Sequence, residues 1–194
     1  YVLLSTTIFG VFSGLFQTTS KSLQVTQAFI NQVSFSHDAI IIKQGLQQLS
    51  GFIITFTVSV VVLLFFNVVP SWKIVFFPLM LVPVFCLAAS IGMIVSVITV
   101  VFPDIQKMVN FFIGLLLYIT PVIYSPKFDN PLLQEIINYN PLTYLIGDAR
   151  DLIIYGTMEN LNKYFISAGM AIFIFMIAWR FFFITEQKVI ERMI

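Results

Sequence analysis

Charge is the first thing this sequence lacks. Of its 194 residues only 10% are Asp, Glu, Lys or Arg, against about a quarter in a soluble domain. A 59% apolar share and a mean hydropathy of +0.97 exclude a soluble globular chain and point to an integral membrane protein. The formal net charge is +1, which offers no basic surface to nucleic acid. Cys86 is the single cysteine, so no disulfide forms within the chain. One His and one Cys cannot build a typical zinc site. No G-x-x-x-x-G-K-[ST] run occurs, so ATP is not hydrolysed through a phosphate-binding loop. From Gln44 to Gln106 the only charges are Lys73 and Asp104, in a loop and at a helix start. Carriers driven by protons or sodium usually hold acids or bases inside their spans. Without them, any transport draws its energy from another subunit. The chain opens at Tyr1 with neither Met nor a charged leader, which reads as a fragment or processed chain.

What is abundant is long apolar sequence. A membrane span needs roughly 20 such residues. Candidates lie at residues 1–17, 51–69, 74–102, 108–124 and 164–184. The expected fold class is therefore all-α, a polytopic transmembrane bundle forming one domain over residues 1–194. The third candidate carries Pro78 and Pro83, so a kink or a short interfacial helix is expected at its start. Lys21, Lys43, Lys107, Arg180, Lys188 and Arg192 fall on one side, and Lys73, Lys127, Arg150 and Lys163 on the other. The richer side is assigned to the cytoplasm.

Two polar segments organise the rest. Residues 18–50 are cytoplasmic on this topology, and Ala28, Phe29, Val33 and Ile40 to Ile42 give them the pattern of one or two short amphipathic helices. Residues 125–163 are external. Asn-Pro occurs there twice, at Asn130-Pro131 and Asn140-Pro141. Asn is a good N-cap and Pro suits the first helical position, so helices are expected over residues 131–139 and 141–155, with Gly156 as a stop. Neither spans a bilayer, and a re-entrant or interfacial pair is expected. The run YITPVIYSPKFDNP, residues 118–131, makes the transition from the fourth span.

Most local patterns have plain readings. Ser36, His37 and Asp38 are adjacent in sequence, and adjacent helical residues point about 100° apart, so a polar cap outweighs a catalytic triad. Small residues at Gly10 and Gly14, and at Ala88, Gly92 and Ser96, permit close helix approach, within one subunit more readily than between two. Asp104 is expected to cap the following helix. Asp148, Arg150 and Asp151 read as surface ion pairs worth under about 1 kcal/mol. Phe111, Tyr118 and Tyr124 can line a path or face lipid, and the tyrosine hydroxyls want polar partners.

Phe102-Pro103-Asp104-Ile105, Thr120-Pro121-Val122-Ile123-Tyr124, Asn140-Pro141-Leu142 and Ala149-Arg150-Asp151 occur in that order. In this the chain resembles the membrane permease of ABC-2 exporters, most closely those of O-antigen, teichoic acid and capsular polysaccharide. The likeness covers the whole chain and is most specific over residues 100–156. It implies a six-span permease of which spans two to six are present, preceded by an amphipathic helix and a first span. It also implies that two permeases work with two ATPase subunits, which bind the ATP, so no cofactor is expected on this chain. A lipid-linked glycan would pass between the permeases, surrounded by membrane lipid. Within residues 18–50, Gln27, Phe29, Asn31, Gln32 and His37 would couple to the ATPase. Phe111, Tyr118, Thr120 and Tyr124 would shape the translocation path. Pro121, Asn140, Pro141 and Arg150 would form the re-entrant gate. A drug or lipid exporter of the same fold is the alternative cargo reading, and an intramembrane enzyme acting on lipid-linked sugars the alternative of another class.

Overall fold

The computed structural model describes residues 2–23, 37–65, 71–124 and 131–191. Its elements, in chain order, are α1 (Val2–Ser20), α2 (His37–Phe65), a 3-10 helix (Trp72–Phe76), α3 (Phe77–Val101), α4 (Ile105–Ile119), α5 (Pro131–Tyr139), α6 (Pro141–Ile154) and α7 (Leu161–Glu191). No strand occurs among the described residues, in keeping with an all-α membrane protein. Three stretches are long and apolar enough to cross a bilayer: Val2–Ser20, Trp72–Val101 and Leu161–Thr185. The other two expected spans coincide with shorter apolar helices, Ser50–Phe65 and Ile105–Ile119. The short helix expected at the start of the third span is present as the 3-10 helix, which precedes Pro78 in the first turn of α3.

The bundle is built around α3. It packs along both α1 and α7, and α6 also rests against it. Helix α2 leans on α1 and stacks Phe56 on Phe77, ring centroids 4.7 Å apart. The α1–α3 contact is tight because Gly92 has no side chain. A Cβ there would meet Thr19 Cβ at 2.7 Å and the Phe16 carbonyl at 3.2 Å. The Ala88, Gly92 and Ser96 stripe therefore joins helices within the chain, as its four-residue spacing predicts. Gly10 does no such packing, since a Cβ there meets nothing within 4 Å.

Hydroxyls reinforce this contact where α1 ends. Ser22 and Ser96 share a hydrogen bond of 3.1 Å, the Leu23 amide donates to Ser96 Oγ at 3.2 Å, and Gln106 Nε2 donates to Ser20 Oγ at 2.9 Å. The end of α1 is thus bonded to α3 and to the first turn of α4. At the turn between α3 and α4, the expected cap is not made. Asp104 stands at the N-cap with φ −68° and ψ −21°, a helical conformation in which its carboxylate does not reach the free amides. It pairs instead with Lys107 at 3.2 Å, in the open.

Gly92→Val is expected to force α1 and α3 apart and lower the melting temperature of the detergent-purified protein, at a cost of about 1–3 kcal/mol. Gly10→Ala serves as the control. With open space at that position, its melting temperature should match or exceed the parent's, Ala being the better helix former.

Candidate functional site

The described residues after α4 fold as the two Asn-Pro pairs predict. Helix α5 begins at Pro131 and α6 at Pro141. Asn140 is extended, φ −78° and ψ 113°, and its Oδ1 accepts the Leu142 amide at 3.0 Å. The nitrogen of the same side chain is also engaged, since Nδ2 donates to Thr120 Oγ1 at 2.8 Å. One side chain therefore starts α6 and fastens the hairpin to the end of α4. Thr120 is 1% exposed. Its hydroxyl belongs to this joint and not to the exposed face of α4 that carries Phe111 and Tyr118.

The far end of α6 is fixed as firmly. Gly156 has φ +68°, a conformation side chains disfavour, and it stops the helix as expected. A Cβ there would also meet Ser71 Oγ at 2.7 Å. The Ser71 amide donates to the Ile153 carbonyl at 2.9 Å, and the Lys73 ammonium donates to the Gly156 carbonyl.

Between these anchors, α6 is buried on α1, α3 and α7. This overturns the surface reading of its charges, because Asp148, Arg150 and Asp151 are all buried. Arg150 Nε donates to Asp151 Oδ1 at 2.8 Å, and its Nη1 donates to Ser5 Oγ on α1 at 3.2 Å. A helix-wheel view of α6 alone misses this. Its polar residues meet partners from α1 and from the segment before α7, at separations that sequence spacing does not disclose. Asp148 Oδ1 accepts the Asn160 amide at 3.2 Å. Burial pushes the Asp148 carboxyl above its ordinary range, with the Asn160 bond pulling the other way.

A cavity of about 310 Å³ opens beside these groups. Pro121 and Arg150 line it, as do Thr143, Tyr144 and Lys163, which sequence reasoning missed. Tyr144 donates its hydroxyl proton to the Asn138 carbonyl at 3.0 Å, and Lys163 Nζ donates to the same hydroxyl at 3.1 Å while standing 5.0 Å over the ring. The available signal was the spacing of Tyr144 and Asp148, four residues apart on α6 with Gly147 between them.

The remaining predicted residues are dispersed. Phe111 and Tyr118 lie exposed on α4, 66% and 65%. The Tyr124 hydroxyl donates to the Tyr118 carbonyl, closing the turn after α4. Gln27, Phe29, Asn31 and Gln32 lie outside the described residues. His37 begins α2, and its side chain also lies outside them.

Comparison with known proteins follows the same lines. The ABC-2 type transporter family profile matches residues 1–154. The chain is similar to an O-antigen export system permease protein RfbA of Klebsiella pneumoniae, 30% identical over 131 residues, which is 67% of this chain and 51% of that protein. It is also similar to a second Klebsiella pneumoniae protein of that name, 25% identical over 134 residues, again 67% and 51%. The chain spans about half the length of the curated relatives it matches.

Arg150→Met leaves Asp151 buried without its cation and is expected to destabilise the protein by about 3–5 kcal/mol. The double variant Arg150→Met with Asp151→Leu should recover most of that loss. Denaturant or thermal unfolding in detergent measures both, and equal destabilisation in the single and double variants would refute the buried pair.

Proposed function

The chain belongs to the ABC-2 type transporter family, and from that membership we propose that it is the membrane permease of an ATP-driven exporter of a lipid-linked polysaccharide. The cargo class is O-antigen, capsule or teichoic acid, and the membrane is the bacterial inner membrane, crossed by five spans of this chain. The observation that carries the reading is the family match over residues 1–154, and the O-antigen export permeases among its relatives narrow the cargo. Between Gln44 and Gln106 no charge falls inside an expected span, which fits a permease whose energy is delivered through its ATPase subunits. Two such subunits and a second copy of this chain complete the proposed assembly.

Each part of the chain then has a role. Residues 18–50 receive ATPase closure through Gln27, Phe29, Asn31, Gln32 and His37. Helix α4 presents Phe111 and Tyr118 toward the second copy and the passing polymer, with Tyr124 steadying the turn above them. The α5–α6 hairpin is the outer gate, hinged where Asn140 meets Thr120 and held by Arg150. An enzymatic role would need the external charged cluster free to act. That cluster is buried, with Arg150 bonded to Asp151 and Ser5, and Asp148 Oδ1 accepting the Asn160 amide.

Phe29→Asp tests the coupling assignment. The expected outcome is loss of permease-stimulated ATP turnover and of surface glycan, with the chain still inserted and folded. Normal turnover together with normal co-purification of the ATPase would sink it.

A further inference from the structure

A groove of about 570 Å³ runs between α3 and α7, two of the helices able to cross a bilayer. Leu79, Val82 and Pro83 wall it on one side and Phe165, Gly169 and Ile172 on the other. The Tyr164 hydroxyl on the wall is committed, since it donates to the Met80 carbonyl at 3.0 Å. Met80 and Tyr164 stand in the first turns of α3 and α7, so this bond sets the two helices level at their starts. From there the wall reaches from Phe76 to Pro83 on one side and from Tyr164 to Ile172 on the other, about 10–12 Å at the helical rise. A bilayer's hydrocarbon core is about 30 Å thick, so the groove ends within one leaflet. Gly169 opens its middle, since a Cβ there would meet nothing within 4 Å. A glycine weakens a helix interior, and no neighbour among the described residues uses the space this one leaves.

The mouth of the groove carries a cation. Lys73 Nζ donates to the Gly156 carbonyl. Phe76, three residues after Lys73, lines the groove, as does Leu152, whose carbonyl accepts the Gly156 amide at 3.1 Å. The ammonium is thus held at the end where α3 and α7 begin, and it has further donors to give. Trp72 beside it is 75% exposed. Trp and Lys are residues that anchor at headgroup level. No carboxylate stands on the described wall, and Glu159 lines the cavity beside α6 instead.

These features together select the occupant. A helix of a second copy would need a groove along the whole span, and this one stops partway. A neutral hydrocarbon would leave Lys73 unanswered, and a free phosphate would leave the apolar wall unfilled. A lipid tail fits the depth of one leaflet and brings a phosphate to the mouth. An ethanolamine headgroup would set a second ammonium beside Lys73, which favours a headgroup of net negative charge. The geometry points to a resident anionic phospholipid, with one acyl chain in the groove and its phosphate on Lys73. Helix α4, whose exposed face is proposed for the polymer, contributes nothing to the wall, so this lipid is a fixed companion of the fold and not cargo.

Native mass spectrometry of the detergent-purified permease tests it, with phosphatidylglycerol, phosphatidylethanolamine, diacylglycerol and glycerol phosphate added in turn. Phosphatidylglycerol is expected to stay bound, and the other three to be held about tenfold less, as loss of one charge-assisted hydrogen bond suffices to do. Lys73→Gln should weaken phosphatidylglycerol retention by a similar factor, while its amide still donates to Gly156. Gly169→Leu should abolish retention by filling the groove, at unchanged melting temperature. Should either variant unfold, the other and the lipid preference of the parent carry the test. Retention of any of the other three at the level of phosphatidylglycerol, or retention undiminished in the folded variants, would overturn the site. A shift from dimer to monomer in Gly169→Leu would assign the groove to a second copy and overturn it equally. The export reading is independent of the outcome, since it is tested by permease-stimulated ATP turnover and surface glycan.

Discussion

The distance between α1 and α3 governs this bundle, and Gly92 sets that distance. Lipid is as apolar as the helix surfaces, so hydrophobic burial gives α1 little reason to leave it for α3. Close packing and interhelical hydrogen bonds are what remain. The missing side chain at Gly92 brings Thr19 and the Phe16 carbonyl within contact of α3, and that approach puts Ser20 and Ser22 within reach of Gln106 and Ser96. The same close pair gives α6 a surface to rest on at the start of α1, where Ser5 meets Arg150. Close packing of α1 on α3 thus decides whether these polar contacts can form.

The α5–α6 hairpin is legible in the sequence because the residues that make it act locally. Asn140 and Pro141 mark a helix start, and Gly156 a stop, wherever they sit in a fold, so their positions are readable in advance. The pattern of small residues on α3 is legible for the same reason, since it needs only helical periodicity. Burial is what escapes. Asp148, Arg150 and Asp151 look solvated when α6 is considered alone, and only the arrival of α1, α3 and α7 around it removes them from water. Thr120 misleads likewise. Its neighbours along α4 are exposed, but the turn after α4 rotates it toward Asn140. Asp104 fails as a cap because capping depends on backbone angles that composition does not fix.

The same contrast explains why the cavity beside α6 is invisible in the sequence. Its wall draws on the turn after α4, on α5 and α6, and on the start of α7. No single window of sequence contains it. Tyr144 unites the parts by giving its hydroxyl proton to α5 and accepting one from Lys163. A family resemblance locates the hairpin but says nothing of the arrangement of these polar groups, which belongs to the tertiary structure.

The two ends of the bundle are made of different bonds, and they differ mechanically as a result. Beside α6, the contact with α1 runs through Arg150, whose guanidinium bonds both Asp151 on its own helix and Ser5 of α1, and losing that guanidinium would leave the Asp151 charge in a medium that cannot solvate it. The end of α1 is instead held to α3 through hydroxyls, and in the Ser22–Ser96 bond either oxygen can be the donor. Neutral groups that can exchange roles lose about 1 kcal/mol when a bond breaks and regain it on re-forming one turn or one rotamer away. A displacement of α1 therefore breaks neutral hydroxyl bonds at one end and a charge-assisted bond from Arg150 at the other, and the second is the costlier loss.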